Sequence, residues 1–187
     1  MTRKKVGIYT GTFDPIHDGH VAFMQSALQQ VGLERIVLIP EKIPRGKQNV
    51  TPINHRIAMA RLATSTMPAL VQELTTDTAT FSSITDLFGT ERPDLYLMIG
   101  SDVALTLKTW PEFSRITQSM KFIIGIRSND EAARMHTLMA HLEVSPDRYT
   151  YIQTTAAHSS SSQVRSGQAR FLASIEQYIQ KHHLYTL

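Results

Sequence analysis

Short apolar runs recur along the chain, and helical spacing follows most of them. The runs are Val6–Thr10, Arg35–Pro40, Ala69–Leu74, Leu95–Gly100, Phe122–Arg127 and Tyr149–Thr154. Most are unbroken rather than alternating, the pattern of strands covered on both faces. Between them, apolar positions fall three and four apart. Met24, Ala27, Leu28 and Val31 form one stripe, and Gly32 supplies its stop. Thr51 and Pro52 predict an N-cap and a first helical residue, with Ile53, Ile57 and Ala60 keeping the spacing after them. Asn129 to Glu143 is a third helical stretch, and Leu172, Ile175 and Ile179 stripe the last. Strands alternating with helices predict a parallel sheet with helices on both faces, a three-layer α/β/α arrangement. In such sheets ligands bind beyond the carboxyl ends of the strands, near the switch in strand order.

Composition narrows the chemistry. The chain has 187 residues and no cysteine. A single domain, residues 1–187, is expected. A disulfide scaffold, a thiol nucleophile and cysteine-ligated metal sites are excluded. No apolar run approaches the ~20 residues of a membrane helix. The basic start, Arg3-Lys4-Lys5, precedes too short an apolar run for a signal peptide, so a cytoplasmic location is expected. Lys and Arg number 19 against 16 Asp and Glu. Setting Arg3, Lys4 and Lys5 aside balances the two signs, so nucleic acid is not an expected partner. The balance is local, however. From Lys42 to Gln72 there are five basic residues (Lys42, Arg45, Lys47, Arg56 and Arg61) and no acidic one. A solvated basic face is the plain explanation; a surface that meets a polyphosphate is the sharper one.

The first strand-to-helix junction carries the chemistry. After Val6–Thr10 come Gly11, Thr12, Phe13, Asp14, Pro15, Ile16, His17, Asp18, Gly19 and His20. Gly11 allows backbone to approach a ligand closely. A helix start offers amide donors and a positive dipole end, which suit phosphate. His17 and His20 around Gly19 add donors aimed at the same anion, able to stabilise charge on a phosphoryl group. A metal pair is the rival, but no Glu lies between the two histidines and no third ligand is evident. A helix-capping histidine would be the plain explanation if there were only one. Neither GxGxxG nor a P-loop is present, so the signatures of nicotinamide dinucleotide binding and Walker-type hydrolysis are missing.

The stretch Thr10 to His20 resembles the His-x-Gly-His signature of the nucleotidyltransferase superfamily. Its members transfer a nucleotidyl group from ATP or CTP and release pyrophosphate. Ser159, Ser160, Ser161, Ser162, Gln163, Val164 and Arg165 resemble the second motif of that superfamily, Ile-Ser-Ser-Thr-x-Ile-Arg. By composition alone the serines would be a flexible linker. The resemblance implies instead that Ser160, Ser161, Ser162 and Arg165 hold ATP phosphates. Further segments resemble bacterial nicotinate mononucleotide adenylyltransferases. Leu97 to Asp102 is similar to the family's Ile-Ile-Gly-x-Asp, implying that Asp102 meets the adenosine ribose and that Gly100 joins the ATP site. A helix N-cap is the plain alternative for Asp102. Leu105 to Phe113 is similar to the segment whose tryptophan stacks the pyridine ring, implying that role for Trp110, the chain's one tryptophan. A core position is the plain alternative. Ile175 to Tyr185 resembles the family's closing helix.

Two segments depart from the family pattern. Pro44-Arg45-Gly46-Lys47 stands for Pro-Pro-His-Lys, keeping the lysine and losing the histidine. Thr80-Phe81-Ser82-Ser83-Ile84-Thr85 stands for Ser-Tyr-Thr-x-Asp-Thr, which in the family helps read the pyridine carboxylate. The resemblance thus implies a Rossmann-like doubly wound sheet and adenylyl transfer from ATP to nicotinate mononucleotide. His17, His20, Lys47 and Arg165 would be catalytic. Gly11, Thr12, Phe13 and Gly19 would join Gly100, Asp102 and the serines around ATP. Ser82 and Trp110 would bind the acceptor. Magnesium is expected, held mainly by ATP phosphates and water because no acidic cluster offers ligands. The partners are small molecules, ATP and a mononucleotide, with no membrane; a homo-oligomer stays open. Nicotinamide mononucleotide or pantetheine phosphate as acceptor are the rival enzyme readings. A nucleotide-binding regulatory module without turnover is the rival of a different class.

Overall fold

The computed structural model describes residues 3–154, 161–165 and 172–185. Strand β1 (Lys5–Gly11) leads into helix α1 (Asp18–Val31), then strand β2 (Arg35–Pro40) and helix α2 (Ile53–Thr64). Strand β3 (Ala69–Val71), helix α3 (Phe81–Asp86), strand β4 (Asp94–Gly100) and helix α4 (Ser101–Ala104) follow. A short 3-10 turn (Leu107–Thr109), helix α5 (Phe113–Ser119), strand β5 (Lys121–Ile126) and helix α6 (Asn129–His141) come next. A second 3-10 turn (Pro146–Arg148), strand β6 (Tyr149–Gln153), helix α7 (Ser161–Arg165) and helix α8 (Ala173–Lys181) complete the described elements.

The six strands form one sheet in the order β3-β2-β1-β4-β5-β6, and every pairing is parallel. Each parallel step needs a crossover, and the helices supply them. The strand order reverses between β1 and β4, so the carboxyl ends of those two strands diverge into a crevice. The unbroken apolar runs are explained by burial on both faces. Along β1, Val6 and Ile8 face one core while Tyr9 faces the other. Along β4, Leu97 and Ile99 share the first core, and Tyr96 and Met98 the second. Ile116 of α5 and Met135 and Met139 of α6 close the first. Phe23, Met24 and Ala27 of α1, with Ile175 and Ile179 of α8, close the second. A fully buried side chain of this size contributes roughly 1.5–3 kcal/mol, and both layers draw on that term.

Local signals set the ends of α1. Gly32 adopts the left-handed conformation, φ 69°, that terminates a helix where a side chain would be strained. The start of α2 differs from expectation. Pro52, not Thr51, is the N-cap, and no side chain caps the helix. The Thr51 carbonyl instead accepts from Arg56 Nε at 2.7 Å. Strand β3 ends at Val71 rather than Leu74. It lies at the sheet's edge with one partner strand, and Leu74 turns into the first core beyond it.

Candidate active site at the switch point

A cavity of about 910 Å³ opens over the carboxyl ends of β1 and β4. Its size suits a dinucleotide-sized ligand set. The loop from Gly11 to His20 forms one wall. A Cβ on Gly11 would lie 3.0 Å from the Phe13 ring, so glycine lets that ring fold back under the loop. Phe13 is buried, edge-on to both Tyr9 (5.2 Å between centroids) and His20 (5.2 Å). The loop thereby rests on an aromatic floor.

The two histidines are fixed by backbone. His17 is the N-cap of α1, and its Nδ1 accepts from the Gly19 N–H at 3.1 Å. His20 Nδ1 accepts from the His17 N–H at 3.2 Å. The rings lie 3.7 Å apart, tilted by 33°. Burial drives the His17 pKa down to about 4, against a small opposing pull from Asp18. Burial first, then His17 and Lys47, hold His20 well below its ordinary value. Both imidazoles are therefore neutral near pH 7. With Nδ1 accepting, each carries its proton on Nε2. The site offers two neutral N–H donors rather than two cations.

This refines the expectation for the helix start. The Gly19 amide is not free, because His17 Nδ1 and Asp18 Oδ1 both accept from it. The imidazoles extend the helix's donor character outward in its place, and the dipole remains. Asp18 is the first helical residue and lies outside the cavity lining, so its charge does not confront a bound anion there.

The second segment clasps the first. Ser161 Oγ donates to the Pro15 carbonyl at 3.0 Å. Arg165 donates to the Asp14 carbonyl and, at 3.2 Å, to Ser162 Oγ. Ser161, Ser162 and Arg165 all line the cavity. Ser160 lies outside the described residues. Beneath them Asp14, 5% exposed, accepts from Tyr185 Oη and, at 3.2 Å, from the Thr51 N–H. The chain's far end is thereby tied to its first loop.

On the other wall, Gly100 is the N-cap of α4 and Asp102 stands in its first turn without capping it. Asp102 lines the cavity, so its plain alternative as a helix cap does not apply. Lys47 lines it from the loop after β2, where Gly46 takes a positive φ of 68°. Trp110 is both core and lining. It is 6% exposed, its Nε1 donates to Thr106 Oγ1 at 3.2 Å, and the Arg45 guanidinium lies 4.3 Å from the centre of its ring.

Ser82 is not brought to this cavity. Its N–H and Oγ donate to Glu112 at 3.0 and 2.8 Å, and Arg115 joins the same carboxylate. Those bonds, the Ser82 backbone N–H first, hold the Glu112 carboxyl down to about 2. An internal carboxylate already takes the donors that the sequence assigned to the acceptor.

The basic stretch divides in two. Arg45 and Lys47 face the cavity. Lys42 pairs with Glu73 at 3.6 Å. Arg56 is 1% exposed and spends its donors on carbonyls of Thr51, Thr12, Glu41 and Lys42. It brackets the loops after β1 and β2 and meets no phosphate. Nothing in the spacing of Arg56 distinguishes it from a surface arginine. Arg127 and Thr154, at the ends of β5 and β6, also line the cavity and were not singled out by sequence. Their place after strands was the available signal.

A parallel sheet in this order, with a paired-histidine helix start at its switch, defines an α/β nucleotide-site protein. Residues 8–167 match the cytidylyltransferase-like family model. The chain belongs to the cytidylyltransferase-like family and is a nucleotidyltransferase. Its relatives point to one branch. It is 36% identical over 147 residues to a probable nicotinate-nucleotide adenylyltransferase of Symbiobacterium thermophilum, covering 74% of this chain and 70% of that one. It is 34% identical over 128 residues to the nicotinate-nucleotide adenylyltransferase of Bacillus subtilis, covering 64% and 68%. The fold matches the Plasmodium falciparum nicotinic acid mononucleotide adenylyltransferase solved with NaAD, with a TM-score of 0.74, 22% identity and 97% of each chain covered.

Proposed function

We propose that this protein transfers the adenylyl group of ATP to nicotinate mononucleotide, giving nicotinate adenine dinucleotide and pyrophosphate. A step of NAD biosynthesis is what the relatives' activity supports. The observation that carries the chemistry is the stacked His17–His20 pair, neutral and locked with Nδ1 toward backbone.

A phosphate oxygen of the acceptor attacks the α-phosphorus of ATP in line. The bond to the β-phosphate oxygen breaks, and pyrophosphate leaves with that electron pair. No covalent enzyme intermediate is needed, so the protein's work is positioning and charge stabilisation. The His17 and His20 Nε2–H groups donate to the triphosphate, where fixed dipoles stabilise developing charge at no reorganisation cost. Lys47 and Arg165 add full charge on the leaving side, with Ser161 and Ser162 as hydroxyl donors; Ser160 belongs to the same assignment. Gly11, Thr12, Phe13 and Gly19 shape the floor under the phosphates. Gly100 and Asp102 orient the adenosine, Asp102 as an acceptor for ribose hydroxyls. Trp110 orients the pyridine.

Magnesium would arrive with ATP. The carboxylates lining the cavity are Asp14, Glu41 and Asp102. Asp14 is engaged by Tyr185 and Thr51, and Glu41 by Arg45 and the Ala79 N–H. Among the described residues no group of three or more metal-ligating side chains occurs. That donor set fits a cation held mainly by phosphates and water, not a protein cage. No helix among the described residues is long and apolar enough to cross a membrane, and a cytoplasmic location fits the small-molecule substrates.

The test is product formation. Incubation with ATP, magnesium and nicotinate mononucleotide should give dinucleotide and pyrophosphate in equal amounts by chromatography. ATP binding without either product would overturn the enzyme reading in favour of a regulatory module.

A further inference from the structure

We propose that Arg45 reads the acid group on the acceptor's pyridine ring and so decides between an acid and an amide. The inference deepens the proposed function and rests on it.

Arg45 is a held cation, not a free surface arginine. One terminal nitrogen donates to Glu41 Oε1 at 2.9 Å, and the other donates to the Ala79 carbonyl at 2.7 Å. Glu41 is 6% exposed and is itself fixed by the Ala79 N–H at 3.1 Å. The guanidinium plane has five N–H donors, and these contacts use two. Three remain beside the cavity that Arg45 lines.

Its position is specific to the acceptor. The guanidinium covers the Trp110 ring at 4.3 Å, too close for a second ring to enter between them. A pyridine nucleotide carries its ring nitrogen as a cation. Both planar cations are attracted to an indole face, so the ring of the acceptor competes with the guanidinium for it. Glu41 keeps the guanidinium beside Trp110 and so beside the ring's edge. There a carboxylate offers two acceptor oxygens to the planar fork of donors. A carboxamide offers one acceptor and turns its NH2 donors toward other donors. The acid is therefore favoured by charge and by geometry, and the amide is disfavoured by both.

Two other candidates singled out by sequence are engaged elsewhere. Ser82 has its donors on Glu112 and lies outside the lining. Lys47 lies by His20, where its charge lowers the imidazole pKa, and so belongs to the phosphate end.

The test uses the full chain, wild type and the variants Arg45→Gln and Arg45→Lys, with ATP and magnesium. kcat/KM is measured for nicotinate mononucleotide and for nicotinamide mononucleotide. Because Trp110 is the chain's one tryptophan, its fluorescence also reports binding of each mononucleotide directly. The wild type should prefer the acid by about 30-fold or more. Arg45→Gln should lower that ratio by about tenfold, mainly through KM for the acid, and Arg45→Lys by less. The fluorescence titrations should lose the same preference. Acid-to-amide ratios within twofold of wild type in both variants, with turnover retained, would overturn the inference and leave the proposed function standing. Should Arg45→Gln fail to fold, Arg45→Lys keeps a charge for Glu41, and an unchanged ratio in it is sufficient to overturn. A wild type that prefers the amide overturns the proposed acceptor and this inference with it. A wild type that turns over neither mononucleotide overturns the proposed function and this inference with it.

Discussion

At the phosphate end of the cavity, the two histidines are fixed by backbone of their own segment: His17 by Gly19, and His20 by His17. At the acceptor end, side chains are fixed by partners far along the chain. Arg45 reaches Ala79 across 34 positions, and Glu41 is held by the Ala79 N–H across 38. The difference has a physical meaning. A triphosphate is recognised by dipoles and donors that a helix start provides wherever it is placed. A substituted ring is recognised by a particular charge against a particular face, which takes several segments to assemble. The phosphate end can therefore stay constant while the acceptor end is altered one contact at a time.

Predictions follow from that contrast. His20→Ala removes a preorganised donor, so kcat for pyrophosphate release should fall by about 10²- to 10³-fold with KM for the acceptor little changed. A loss confined to KM for the acceptor would break the division between the ends. Arg165→Ala should raise KM for ATP by roughly tenfold to a hundredfold, read from initial rates at saturating acceptor. An equal rise for the acceptor would place Arg165 in both ends. The smallest effect is on stability. The His17 pKa is about 4 when folded against 6.5 when unfolded, so between those values the unfolded chain binds more protons. The stability is fully present above pH 6.5 and is lost as pH falls toward 4. At pH 5 the loss from this group is about 2 kcal/mol. His17→Gln should lessen the fall in melting temperature between pH 7 and 5, with His20 supplying what remains, and an unchanged slope would mean that His17 is not buried neutral.

The contrast also explains what was legible in the sequence. Six apolar runs located six strands, because burial on both faces leaves an unbroken pattern. The Gly32 stop was legible because one residue type satisfies a left-handed cap. The paired histidines were legible because the motif is contiguous and lies at a strand end. The start of α2 was not, because Arg56 takes the Thr51 carbonyl from a position that looks like a basic surface. The Ser82–Glu112 pairing was invisible for a similar reason. The resemblance implies a carboxylate reader at position 82, and only the fold shows that Glu112 takes its donors. Trp110 was recognised, but not the arginine lying on it.

The most direct measurement compares kcat/KM of the wild-type protein for nicotinate mononucleotide, nicotinamide mononucleotide and pantetheine phosphate, each with ATP and magnesium, by pyrophosphate release. The account predicts turnover dominated by nicotinate mononucleotide. Equal or greater turnover with either of the other two would contradict it.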